Sequence, residues 1–263
     1  MKRLITVAGL MFASTAAVAG SLGDVSDVPA THVKSEKELS GFLGLGALWR
    51  PEYIGGDTTE TKPVPLISVD YRDIVYFKLN RLGVWVWKQG QEGFRIGAVA
   101  QPRRGWRRND GNRLSGMDTR GDSVEAGVNL AWRYDRFEAE GAYLTDVSDE
   151  SDGDSAYIKL RYTLMQSPKW NLAGQLGFEY LDDDVTDYYF GVPADEATPI
   201  RPAYSPDEEW NTSVSLVATY IINPSWLAMG GFSYTVLGDE LQDSPIVEED
   251  DYANVFAGVA WRF

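Results

Sequence analysis

Residues 252–263 read YANVFAGVAWRF, and their alternation decides the fold. Ala253, Val255, Ala257, Val259, Trp261 and Phe263 form one wholly apolar face that ends in aromatics. Tyr252, Asn254, Phe256, Gly258, Ala260 and Arg262 make the other face, which carries the small and polar groups. Successive side chains of a strand point to opposite faces, so a period of two sorts residues between two environments. A soluble sandwich strand can alternate like this but rarely stops on an aromatic pair. A bilayer-crossing strand needs an apolar outer face closed by an interfacial aromatic girdle, the arrangement of a bacterial outer-membrane barrel. The terminal Phe also resembles the signal read by the machinery that assembles such barrels.

The same period recurs upstream. Trp210, Thr212, Val214, Leu216, Ala218 and Tyr220 alternate with Asn211, Ser213, Ser215, Val217 and Thr219. Val124, Ala126, Val128, Leu130, Trp132 and Tyr134 alternate with Glu125, Gly127, Asn129, Ala131 and Arg133. Trp170, Leu172, Gly174, Leu176, Phe178 and Tyr180 alternate with Asn171, Ala173, Gln175, Gly177 and Glu179. Each run has about the ten residues that a tilted strand needs to cross a membrane. Connections are sorted by length as well. Short ones fall at Asp135-Arg136, Gln166 to Lys169 and Asn223 to Ser225; long ones span 51–62, 104–121, 146–154, 183–208 and 239–251. Outer-membrane barrels have short periplasmic turns and long external loops.

With the C-terminus in the periplasm, strands are expected near 252–263, 225–238, 209–222, 170–182, 154–165, 136–146, 122–134 and 93–103. The front must then hold an even number: 40–50, 63–71, and a short hairpin within 74–90 that turns near Asn80-Arg81. The expected fold is therefore an all-β antiparallel transmembrane barrel of about twelve strands, over residues 40–263, with ten as the alternative if part of 74–90 stays out of the wall. Residues 1–19 read as a secretory signal peptide. Lys2 and Arg3 precede an apolar run, and Ala17-Val18-Ala19 offers a cleavage site. Residues 20–39 read as a polar periplasmic leader.

Composition agrees with this assignment. The mean hydropathy of −0.27 does not argue for a soluble chain, because strands hide their hydrophobicity in alternation. Zero cysteines excludes disulfides and thiolate chemistry. The formal charge of −15, or −17 once Lys2 and Arg3 are removed, argues against nucleic acid as a partner. Nine Trp and fourteen Tyr suit interfacial girdles.

By this register Arg50, Asp70, Arg95, Gln101, Glu125, Arg133, Glu138, Glu140, Lys159, Arg161, Gln175 and Glu179 point inward. Charges in a narrow lumen must be paired to be tolerated. They read as a salt-bridged filling that stiffens the barrel, with a charged pore for small solutes as the alternative. The single histidine, His32, lies in the leader, so neither a His-based triad nor a multi-His metal site is expected. No catalytic, cofactor-binding or metal-ligating residue is assigned. Arg103, Arg104, Arg107, Arg108, Arg113 and Arg120 crowd one external loop with Trp106. They suit either lipopolysaccharide phosphates, which Arg binds in bidentate fashion, or the acidic loops nearby. Those loops (149–154, 182–184 and 248–251) read as a solvated rim, and DESDGD lacks the spacing of a calcium loop.

Asp187-Tyr188-Tyr189-Phe190-Gly191-Val192, then Leu237-Gly238-Asp239-Glu240 and Asp243-Ser244-Pro245-Ile246-Val247, resemble the MipA/OmpV family of outer-membrane proteins. Arg50-Pro51-Glu52-Tyr53, Gly55-Gly56-Asp57 and Pro63-Val64-Pro65 resemble that family's opening, in the same order across 40–263. The resemblance implies a scaffold near the outer membrane that bridges a lytic murein transglycosylase and a bifunctional murein synthase. Other members imply an antigen or osmotic-response protein, and none supplies catalytic residues to carry over.

Overall fold

The computed structural model describes residues 38–90 and 92–263, so the expected signal peptide and nearly all of the leader lie outside the described residues. Twelve strands close a single antiparallel barrel: β1 (Leu39–Pro51), β2 (Thr59–Tyr71), β3 (Val75–Lys78), β4 (Arg81–Lys88), β5 (Gly93–Arg103), β6 (Ser123–Tyr134), β7 (Phe137–Asp146), β8 (Asp154–Gln166), β9 (Trp170–Leu181), β10 (Glu209–Asn223), β11 (Trp226–Val236) and β12 (Asp251–Arg262). β12 pairs with β1, Arg262 opposite Phe42 and Val255 opposite Trp49, which closes the wall and removes its free edges there. Two short helices lie in the external loops, α1 (Asp183–Phe190) and α2 (Asp239–Gln242).

Alternation places the apolar faces outward as expected. Val255, Val259 and Trp261 of β12 are exposed, whereas Asn254, Phe256 and Ala260 are buried. Aromatic pairs mark the rims: Trp261 with Phe263, Trp170 with Tyr220, and Tyr180 with Trp210, with centroids 4.7–5.3 Å apart. Such pairs give large amphipathic area at the depth where lipid meets water.

The hairpin inferred at 74–90 is present and short. β3 and β4 turn at Leu79-Asn80, pairing Val75 with Val84 and Lys78 with Arg81. A bulge between Trp85 and Trp87 then reverses the sense of β4. Trp85 sits opposite inward-facing Gly97, while Trp87, two residues on, sits opposite outward-facing Ile96 and is exposed. That shift is why simple alternation fails along this stretch. β2 begins at Thr59, four residues before the start expected at residue 63, because the polar run Thr59–Lys62 does not look like strand.

Candidate functional site

The lumen has two unlike sectors. From β10 through β12 and β1 to β2 the inward side chains are mostly uncharged: an apolar cluster of Val217, Leu227, Met229, Phe256, Ala260, Phe42, Leu48, Val64 and Leu66, joined by Leu79 from the β3–β4 turn, lies among buried Ser213, Ser215, Thr219, Ser233, Thr235 and Asn254, with the Arg50–Glu60 ion pair at its outer end. Glycine makes room for them. Gly46 and Gly258 face each other across β1 and β12, and a Cβ built on Gly258 would lie 2.5 Å from Leu66 Cδ1 and 2.6 Å from the Gly46 Cα. The larger side chain therefore lies on bare backbone. The salt-bridged interior expected for the whole lumen is thus only half of what is found, since Phe256 and its neighbours fill the rest by packing.

From β3 through β9 the filling is charged and paired. Arg81 Nη1 donates to Glu140 Oε1 at 3.1 Å, and the Tyr157 hydroxyl donates to the same oxygen at 2.8 Å. Arg81 and Lys159 both lie over the Tyr157 ring, 5.0 and 4.6 Å from its centroid. Arg133 pairs with Glu138 at 2.9 Å. Arg103 bridges Glu125 at 2.6 Å and Glu179 at 3.0 Å, and Glu125 also accepts from Gln101 and Ser155. Arg95 reaches down to Asp73 in the β2–β3 turn at 3.0 Å, and Lys88 joins it at 2.8 Å. Glu60, Asp73 and Tyr157 were not among the residues singled out from the sequence. Glu60 was hidden by the late expected start of β2, and Asp73 by its place in a turn.

The external mouth is covered by folded loops. Tyr53, Trp106, Leu114, Met117, Val192 and Ile246 form one apolar cluster, and Leu181, Val185, Tyr189, Phe190, Leu237 and Leu241 a second. Buried polar groups fasten them. The Tyr53 hydroxyl donates to the Ile246 carbonyl at 2.9 Å and approaches Glu248 at 3.0 Å. Burial, and then the Glu248 charge, push the Tyr53 hydroxyl's pKa far up, so it stays a donor. Trp106 Nε1 donates to the Tyr189 carbonyl at 2.8 Å, and burial pushes Tyr189 up to about 12. A cavity of about 30 Å³ remains beneath, between Arg103, Glu179, Tyr189 and Asn211. That is room for a water or two and no more.

Of the two readings of the arginine-rich loop, the structure favours pairing within the cap. Arg120 donates to Glu196 at 2.8 Å and to the Tyr188 carbonyl at 3.0 Å, and lies 5.3 Å from the Trp106 ring. Arg108 pairs with Asp118 and Arg113 with Glu248. Arg104 bonds the carbonyls of Pro51 and Glu52. Arg107 and Arg108 remain exposed at the surface. In the acidic loops, Asp182, Asp183 and Asp184 come close together, but Asp182 is engaged as the N-cap of α1, accepting from Val185 N at 3.0 Å. The described residues contain no histidine, and His32 lies outside them.

A closed antiparallel barrel with lipid-suited outer faces, a packed lumen and a folded external cap defines a protein of the outer-membrane barrel class. Residues 43–263 match the family described as MltA-interacting protein MipA, and the chain belongs to that family. The putative outer membrane protein YiaT of Escherichia coli K12 is 30% identical, over 90% of this chain and 95% of its own length. The MltA-interacting protein of the same strain is 26% identical, over 92% of this chain and 97% of its own. Among solved structures, the NanC porin covers 84% of this chain and 100% of its own at a TM-score of 0.46 and 13% identity.

Proposed function

We propose that this barrel is a non-conducting, non-enzymatic scaffold, delivered by cleavage of residues 1–19. It holds murein-synthesising and murein-cleaving enzymes at the inner face of the outer membrane. The observation that carries this reading is the lumen: inward side chains pack in one sector and pair in the other, and folded loops lie over its outer mouth. A barrel built this way offers its surfaces for binding more readily than a path for solutes. Kinship with a protein named for interacting with MltA supports the choice of partner.

The partner surface lies at the periplasmic rim. Asp135, Arg136 and Lys169 are exposed there, and Arg72 pairs with Glu38 at 2.5 Å where the leader enters β1. The leader and these turns together form the contact. Affinity capture from detergent-solubilised envelopes tests the proposal. Murein enzymes should be enriched, and deleting residues 20–37 or reversing Arg136 and Lys169 to Glu should weaken the capture. Recovery of only lipid and barrel-assembly components would overturn it, and stable ion-selective steps in planar bilayers would replace it with a small-solute porin.

A further inference from the structure

The short β3–β4 hairpin leaves the barrel wall incomplete on its outer side. β2 pairs with β3 only over Ser68–Tyr71, and Leu79 N caps the Ile67 carbonyl at 2.6 Å. On the other side, β4 follows β5 outward only to the Leu82–Ala100 pair. Above that level the edges of β2 and β5 face each other across a notch where, among the described residues, no strand runs. Trp49, an exposed aromatic of the outer rim, sits opposite Thr61, so the notch begins just on the membrane side of that level.

The edges of the notch have lost hydrogen-bond donors. In an antiparallel strand alternate residues direct both backbone groups to the same neighbour. The Ile67 carbonyl faces β3, so Pro63 and Pro65 face the notch in the same way, and neither has an N–H. On β5, Pro102 lies opposite Val124, whose carbonyl accepts from Val147 of the neighbouring loop. Val124 therefore turns its bonding groups away from β5, and Pro102 turns its own toward the notch. Three prolines thus face the opening. Alternate donors are what an added strand needs, so this edge rejects another strand or a second copy pairing edge to edge. What remains is an apolar edge poor in hydrogen-bond donors, lying over the apolar lumen cluster of Val64, Leu66 and Leu79.

Cations gather at its outer end. Glu60 receives Arg50 at 3.0 Å, Lys62 at 2.8 Å and Arg104 at 3.7 Å, so three cations share one carboxylate at contact distance. Lys62 keeps half of its side chain in solvent and has three N–H donors to offer. Burial, and then repulsion from Arg50, lower the Arg104 pKa to about 10 against the pull of Glu60.

We propose that the notch is a lateral lipid site. It takes one hydrocarbon chain of an anionic amphiphile along Pro63–Ile67, a length of about 13 Å, and sets the phosphate of its headgroup against Lys62, behind which Arg50 and Arg104 lie buried on Glu60.

Photolabelling tests the site in the intact chain reconstituted into vesicles. The probe is phosphatidylglycerol with a diazirine on its acyl chain, compared with phosphatidylcholine bearing the same chain. Adducts should concentrate several-fold on residues 63–67 and 100–104 with the glycerol headgroup and fall toward the choline level in Lys62→Gln. Residues 126–130 and 214–218 report background lipid contact and should label equally with both probes. Lys62→Gln removes only a half-exposed cation, and heat-modifiable migration verifies that it folds. Adducts spread evenly around the barrel, or equal labelling of the notch by both probes, would overturn the proposal. Suppression by millimolar inorganic phosphate would also overturn it, by showing a free-phosphate site in its place.

Discussion

The two sectors of the lumen fill the same cylinder by opposite means. From β10 round to β2 the interior is held mainly by the shape of uncharged side chains, with Leu66 lying over Gly258, Leu48 and Phe256 fully buried, and one ion pair, Arg50–Glu60, at its outer end. From β3 to β9 it is held by charge, with each buried cation set against a carboxylate or an aromatic ring. Packing is non-directional and tolerates substitutions that conserve volume. A buried ion pair is directional, and removing one partner strands the other. The contrast explains how a strongly acidic chain fills a narrow barrel: charge is admitted to the lumen only where partners meet it.

The largest expected effect comes from breaking the charged sector on one side. Glu125→Ala leaves Arg103 without its 2.6 Å partner and removes an acceptor from Gln101 and Ser155. The expected cost is about 3–5 kcal/mol, read by urea unfolding in detergent. The double variant Arg103→Met with Glu125→Gln should cost less than Glu125→Ala alone, because Glu179 is 40% exposed and can hydrate. If the single and double variants cost the same, pairing does not hold this sector.

In the apolar sector, Leu66→Ala should cost about 2–5 kcal/mol, toward the upper end because the glycine backbone beneath it cannot collapse far into the cavity. Leu66→Met should cost under about 1.5 kcal/mol. Near-equal losses from the two variants would mean that side-chain shape matters little there. In the cap, Tyr53→Phe deletes the bonds to Ile246 and Glu248, at about 1–3 kcal/mol. Faster proteolysis within 237–250 should accompany it, with heat-modifiable migration unchanged. Loss of that migration would show that cap and wall fold as one unit.

The wall was legible in the sequence because lipid on one side and a packed lumen on the other impose a strict period of two. Loop sorting and the parity of strand ends then pointed to twelve strands, with ten left open by the 74–90 stretch, and the barrel has twelve. The character of the lumen was not legible. Phe256 shares a face with Asn254 and Gly258, and a single strand does not reveal that its inward neighbours on β1, β2 and β11 are Leu48, Leu66 and Met229. The same holds for Arg113 and Arg120, whose partners Glu248 and Glu196 come from other loops. Alternation reports which way a side chain points; what it meets there depends on registers set far along the chain.

The smallest expected effect tests whether charge also secures the periplasmic rim, where the sectors adjoin. Asp73 sits in a tight turn whose residues Arg72 and Asp73 both have positive φ, 57° and 53°. Burial alone would raise its pKa, but the hydrogen bond from Lys88 and the charge of Arg95 outweigh it and hold the carboxylate below its ordinary value. A folded-state pKa below the unfolded value of about 3.9 stabilises the fold at every pH above that value. The contribution fades as pH falls from there through the folded-state pKa, where both states bind the proton. Asp73→Asn should therefore be slightly less stable than the unchanged chain at pH 7 and converge with it in strong acid. Because Asp73 is itself 35% exposed, solvent screens the pairs and the difference stays small. A difference that persists undiminished in strong acid, where both states bind the proton, would assign the turn's stability to its backbone geometry instead of to these ion pairs.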